Sequence, residues 1–282
     1  MMKRRDFLKV SGAGVSLLSL SSFGCGMDPA GVFQSMDAPL RVGEARLVYD
    51  GVGRSYELAS AKHRVTMRCA DGTVGWKIGG LGSEHGRFNY PVALRPQGDG
   101  MLWVADRGNR RVQLVDAEGR HRRTLGATAG EGGVLEAPRD VAIGSSGEIY
   151  VCDAMVHCVQ VYQPEGRYLR TIGGFGRGVT ELNGPVALAF DLEGMLHVVD
   201  RGNARVQVYD IDGGHLRSYG AYGNRPGQLL LPSFLVFADD GGAYVGDVAT
   251  RRISHFSPEG RFTASMQSRS ADGRPGMWRS RP

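Results

Sequence analysis

The stretch Gly194 to Gly213, GMLHVVDRGNARVQVYDIDG, decides how the chain is read. An apolar run from Met195 to Val199 stops at Asp200. The polar link Arg201-Gly202-Asn203 follows, Val206 to Tyr209 resume an extended pattern, and Asp212-Gly213 turns the chain. This is the signature of two short strands and a turn. The same frame stands at Gly100 to Gly119 (GMLWVADRGNRRVQLVDAEG), Gly147 to Gly166 (GEIYVCDAMVHCVQVYQPEG) and Gly241 to Gly260 (GGAYVGDVATRRISHFSPEG), each 47 residues from the next. A worn copy at Gly53 to Gly72 keeps both glycines but has Ala59 where the others have Asp106, Asp153, Asp200 and Asp247. Pro91, Pro138, Pro185 and Pro232 recur at the same step, so the repeating unit is larger than the hairpin.

Each unit holds four strand signals. In the copy quoted first they are Val186–Phe190, Leu196–Val199, Val206–Tyr209 and Leu216–Tyr219, joined by short turn-like links that suit antiparallel neighbours. A period in the forties with four short strands predicts an all-β fold, a β-propeller of four-stranded antiparallel blades; a tandem hairpin solenoid is the alternative. The second strand of each unit (LWVA, IYVC, LHVV, AYVG) is apolar throughout, as expected of a strand packed on both faces. Five units fit, and a sixth blade would have to be assembled from Met27–Gly43 and Gln267–Pro282.

The pattern of proline, apolar strand, glycine, a strand ending Val-x-Asp, then Asn or Arg, Val-Gln-Val-Tyr and Asp/Glu-Gly resembles the NHL repeat, over about Glu44 to Met266. The linkers Gly79–Pro91 (GGLGSEHGRFNYP) and Gly220–Pro232 (GAYGNRPGQLLLP) resemble the stretch that precedes such repeats. The resemblance implies a propeller and no single activity, because NHL propellers include RNA-binding, protein-interaction, sensor and peptide-amidating members.

Residues 1–25 read as an address. Lys3-Arg4-Arg5-Asp6-Phe7-Leu8-Lys9 resembles the twin-arginine export signal, with Lys3 where Ser or Thr is usual, and Val10–Phe23 is mildly apolar but too short and rich in Ser and Gly to span a membrane. Gly24-Cys25 resembles the end of a lipoprotein signal, which would lipidate Cys25; a cleaved signal or an uncleaved anchor is the alternative. The expected location is therefore the periplasm or the cell envelope, with membrane contact only through that lipid. Residues 26–43 read as a tether, 44–266 as the propeller and 267–282 as a loose tail.

The net charge of the chain is +5, but Lys3, Arg4, Arg5 and Lys9 against Asp6 supply three of those charges and leave +2. A nucleic-acid partner thereby loses its electrostatic support.

Antiparallel four-stranded blades put the turn between strands two and three on the same face as the inter-blade linkers. That face gathers Arg107, Asn109, Arg110, Met155, His157, Arg201, Asn203 and Arg251, with Glu84, His85, Arg87, Arg177, Glu181 and Arg225 from the linkers. These are the candidate binding residues, for a protein or peptide partner or an envelope polymer, and the arginines suit carboxylate or phosphate groups. Asp106, Asp153, Asp200 and Asp247, with Arg205, read instead as braces between adjacent blades. The third copy is the exception, since Ala154-Met155-Val156-His157-Cys158 replaces its sisters' polar turns and offers Met155 and Val156 as a contact patch.

Among the first strands, which line the channel, only Arg139 and Asp140 are ionisable at the channel end. One carboxylate is a thin basis for the rival reading, a metal-dependent hydrolase or lyase, and no GxSxG or HExxH motif occurs. No cofactor is expected. Cys152 and Cys158 flank a hairpin turn, where they would either form a disulfide or stay as buried thiols; Cys69 has no evident partner.

Overall fold

A computed structural model of the chain describes residues 45–126, 133–238, 240–267 and 278–280. The signal-like stretch, Cys25 and the tether lie outside the described residues.

The chain builds five antiparallel sheets in sequence. Blade 1 is β1 (Ala45–Tyr49), β2 (Ser55–Ala59), β3 (Arg64–Arg68) and β4 (Val74–Gly79); blade 2 is β5 (Pro91–Pro96), β6 (Leu102–Asp106), β7 (Arg111–Val115) and β8 (His121–Leu125). Blade 3 is β9 (Pro138–Ile143), β10 (Ile149–Asp153), β11 (Cys158–Tyr162) and β12 (Tyr168–Gly173); blade 4 is β13 (Pro185–Phe190), β14 (Leu196–Asp200), β15 (Arg205–Tyr209) and β16 (His215–Tyr219). Blade 5 is β17 (Pro232–Phe237), β18 (Ala243–Asp247), β19 (Arg252–Phe256) and β20 (Phe262–Gln267), and β21 (Trp278–Ser280) adds a fifth strand outside β20. This is an all-β, five-bladed propeller.

Side-chain alternation supplies the core. On β6, Leu102 and Val104 meet Tyr56 and Leu58 of blade 1, while Trp103 and Ala105 on the other face meet Val141, Ile149 and Val151 of blade 3. The same relation carries Tyr150 and Cys152 against Leu196 and Val198, and Val199 against Ala243 and Val245. Middle strands packed on both faces must be apolar throughout, and β6, β10 and β14 are buried along their whole length.

The inner strands pack side by side in the order β1, β5, β9, β13, β17, and among the described residues the packing of β17 on β1 is weaker. The strands that flank this join differ accordingly. On β2 burial alternates, with Tyr56 and Leu58 enclosed and Ser55, Glu57 and Ala59 half-exposed. On blade 5, Tyr244 is half-exposed where its counterparts Trp103, Tyr150 and His197 are buried, and His255 is half-exposed where Leu114, Val161 and Val208 are buried.

Cys152 and Cys158 are free and buried. Of the two alternatives the buried thiols are the one observed, because Cys152 lies opposite Val159 and Cys158 opposite Asp153, which sends the two thiols to opposite faces of the sheet. Burial pushes the Cys152 thiol well up and the Cys158 thiol up to about 12, so neither is a reactive thiolate.

Candidate functional site on the loop face

The turns between second and third strands share one end of the propeller with the inter-blade linkers. Each turn closes on a residue in the left-handed region, namely His63, Arg110, His157, Ala204 and Arg251, with φ between 51° and 56°. Strand two ends in a fully buried aspartate in blades 2, 3 and 4. Asp106 accepts from the Asn89 amide at 2.7 Å, from Asn109 Nδ2 at 2.8 Å and from Arg111 Nε at 2.9 Å. Asp200 repeats this with Asn183, Asn203 and Arg205 at 2.7, 2.7 and 2.8 Å. The guanidinium of Arg111 goes on to the carbonyls of Ser83, Glu84 and Arg87, and that of Arg205 to Gly178 and Glu181. A strand end is thus fastened to its linker by a charge pair whose buried carboxylate has both oxygens engaged.

This fastening absorbs Asn109 and Asn203, whose amides also hold the carbonyls of Gly82 and Gly176. Asp153 and Asp247 do the same work with backbone amides alone, Asp153 accepting from Glu136, Ala137, Met155 and Val156, and Asp247 from Leu230, Leu231, Ala249 and Thr250. His157 accepts the Gly184 amide on Nδ1 at 2.9 Å, and Arg110 pairs with Glu136 at 2.8 Å.

The divergent third turn has a structural cause. A Cβ at Gly108 would stand 2.4 Å from the Asn89 backbone carbonyl oxygen and 2.6 Å from its side chain, and one at Gly202 2.6 Å from both in Asn183, so the close approach of linker and turn in these two blades demands glycine. Blade 3 has Glu136 at the asparagine's place and is free to carry Met155; blade 5 has Leu230 and Ala249.

Above this frame stand side chains with little packed around them. Met155 is 63% exposed, and Leu81, Phe175 and Tyr222, equivalent linker positions, are 64%, 71% and 77% exposed. These three linkers each double back in a short parallel bridge, Leu81 to Phe88, Phe175 to Leu182 and Tyr222 to Leu229. One member of each pair is buried completely and the other is held outward. The Phe175 ring lies 4.7 Å from that of His157, which joins this linker to the turn that carries Met155. Leu81, Phe175 and Tyr222 were not singled out from the sequence, although the repeated GGLG, GGFG and GAYG carry the signal.

At the channel, Asp140 accepts the amides of Val141 and Leu188 and lies 3.7 Å from Arg95, tying blades 2, 3 and 4 together. Among the described residues no three His, Cys, Asp or Glu side chains gather as a metal site. Arg139 is half-buried, and its Nε and that of Arg107 are buried without a hydrogen-bond partner. Burial, and then the neighbouring guanidiniums of Arg107 and Arg201, hold Arg139 below its usual pKa.

Residues 135–162 match the NHL repeat. They span the end of one linker, the whole hairpin of blade 3 and its Asp153 clasp. The chain is also 31% identical over 77 residues, 26% of its length, to NHL repeat-containing protein 3 of Mus musculus, and this match spans 22% of that relative. Solved structures share the propeller at low identity. A catalytically inactive virginiamycin B lyase from Staphylococcus aureus with quinupristin superposes with a TM-score of 0.65 at 12% identity, covering 84% of this chain and 74% of that one. A nidogen/laminin complex chain superposes with a TM-score of 0.62 at 15% identity, covering 83% of each. A protein of unknown function from Bacteroides caccae gives 0.59 at 17%, covering 78% and 80%. At these identities the likeness is one of fold.

Proposed function

We propose that the chain is an exported NHL-type propeller that acts as a binding or scaffold module, holding a protein, peptide or envelope polymer against its loop face. The observation that carries this reading is the division of labour on that face. Its aspartates, asparagines and two of its arginines are consumed in fastening strands to linkers, and the fastened linkers present Leu81, Phe175 and Tyr222 outward. Large apolar side chains held at one repeated position on a rigid frame cost hydration and contribute nothing to the core, which is the economy of a contact surface. Lys3 to Lys9, read as a twin-arginine-type signal, supports export, and Cys25 is the residue that would carry an anchoring lipid. The nidogen/laminin complex is an instance of a similar propeller found with a protein partner.

The test is recovery of partners from periplasmic extract by the chain and by a variant carrying F175S and Y222S. Loss of partners in the variant is the expected result. An unchanged set recovered by a variant of equal thermal stability would contradict it.

A further inference from the structure

The centre of the loop face holds a charge arrangement that the frame does not use. In blades 2 to 5 the inner strand slips register by one residue against its neighbour, leaving Val92, Arg139, Val186 and Ser233 as the extra residue of a bulge. A bulge re-aims its side chain out of the ladder, here at the channel end nearest the loop face. Three of the four residues so aimed are small and uncharged, and the fourth is arginine. Arg107 and Arg201 occupy the equivalent turn position in the blades on either side, directly after Asp106 and Asp200, and blade 3 itself has the small Ala154 there. Both lie close enough to Arg139 to act on its charge.

None of the three has an ion-pair partner among the described residues, although Arg95, Arg110, Arg111 and Arg205 all do. Asp140, the nearest carboxylate in sequence, is committed to Arg95 and to the Leu188 amide. Like charges brought together are unfavourable in the free protein, and Arg107 and Arg139 each also carry a buried Nε without a partner; an oxyanion held by the terminal guanidinium nitrogens would relieve the repulsion.

We propose that Arg107, Arg139 and Arg201 form a binding site for a small oxyanion of two or more negative charges, a polycarboxylate or a phosphoryl group, at the mouth of the central channel. The proposal rests on the reading of this face as a binding face, but its residues are separate from the exposed apolar positions.

The experiment is calorimetric titration and thermal unfolding with citrate, inorganic phosphate and sulfate, each against sodium chloride of matched ionic strength. It is run on the native chain, on R139V, which installs the residue of the sister blades, and on R201A. Saturable binding of at least one oxyanion, weakened about tenfold or more in both variants, is expected, with R139V at least as stable as the native chain without ligand. No saturable binding, or binding that both variants retain, would overturn it. Partner recovery with F175S and Y222S reads the apolar surface alone, so an anion site that fails while partners are still lost in that variant leaves the broader reading standing.

Discussion

Arg205 Nε lies 2.8 Å from Asp200 Oδ2, a carboxylate with no solvent exposure, and Arg111 repeats the contact to Asp106 at 2.9 Å. In blade 5 the corresponding Arg252 turns away to the carbonyls of Asn224 and Arg225, and Asp247 is satisfied by amides alone. The three arginines look interchangeable in the repeat and are not. Arg111→Ala and Arg205→Ala each leave a buried carboxylate short of its counter-charge and should destabilise by about 3 kcal/mol. Arg252→Ala, at an exposed contact, should cost under about 1 kcal/mol. Urea denaturation of the three variants checks the order.

The asparagine and glycine facing each other across linker and turn give a second expectation. Gly202→Ala drives a Cβ into Asn183 and should cost about 1–3 kcal/mol by overpacking. Met155→Gly, where no asparagine faces the turn, should cost no more than the about 1 kcal/mol of added chain entropy. Melting temperatures of the two single variants decide it.

His197 is buried between blades 4 and 5, with Nδ1 2.9 Å from the Tyr219 hydroxyl and Nε2 3.1 Å from Asp191 Oδ2. A carboxylate only accepts, so Nε2 carries the proton toward Asp191 and Nδ1 accepts from Tyr219. Burial lowers the imidazole pKa below its ordinary value despite Asp191. A folded pKa beneath the unfolded value of about 6.5 means that the unfolded chain binds more protons below that pH. Stability from this group is complete above about pH 6.5 and declines as the pH falls toward the folded pKa. His121 and His215 are shifted the same way by burial and add to the slope. Denaturation midpoints measured from pH 7.5 to 5 should fall for the native chain and fall less steeply for His197→Asn.

Much of the fold was legible because one spacing carries it. Four strands per unit, their antiparallel order and five blades follow from recurrent glycines, prolines and aspartates, and strand ends agree within about a residue. What the pattern could not carry was register and reach. Cys152 and Cys158 look like a pair across a turn until a one-residue offset sends them to opposite faces. Asp140 looks like a free channel carboxylate until Arg95, one blade earlier, arrives beside it. Asn109 and Asn203 look available because a sequence does not show which carbonyl an amide will find. Arg139 was visible as a channel residue, but the bulge that aims it and the two arginines beside it belong to the folded ring.

The join between blades 5 and 1 is the weak place of that ring. Ser55, Glu57 and Ala59 are half-exposed where β6, β10 and β14 are enclosed, and among the described residues β17 packs on β1 less closely than the other inner strands pack on one another. Native-state hydrogen exchange should therefore be faster for the β2 amides than for those of β6, β10 and β14. Uniform protection across the four strands would contradict this.

The most direct test of the account is to ask which end of the propeller touches its surroundings. A photo-crosslinking residue placed at Phe175 or Tyr222 on the loop face, or at Leu192 or Ile211 on the opposite turns, can be activated in intact cells and the adducts resolved by mass. Discrete adducts from 175 and 222, and none from 192 and 211, are the expected result. Adducts confined to 192 and 211 would contradict it.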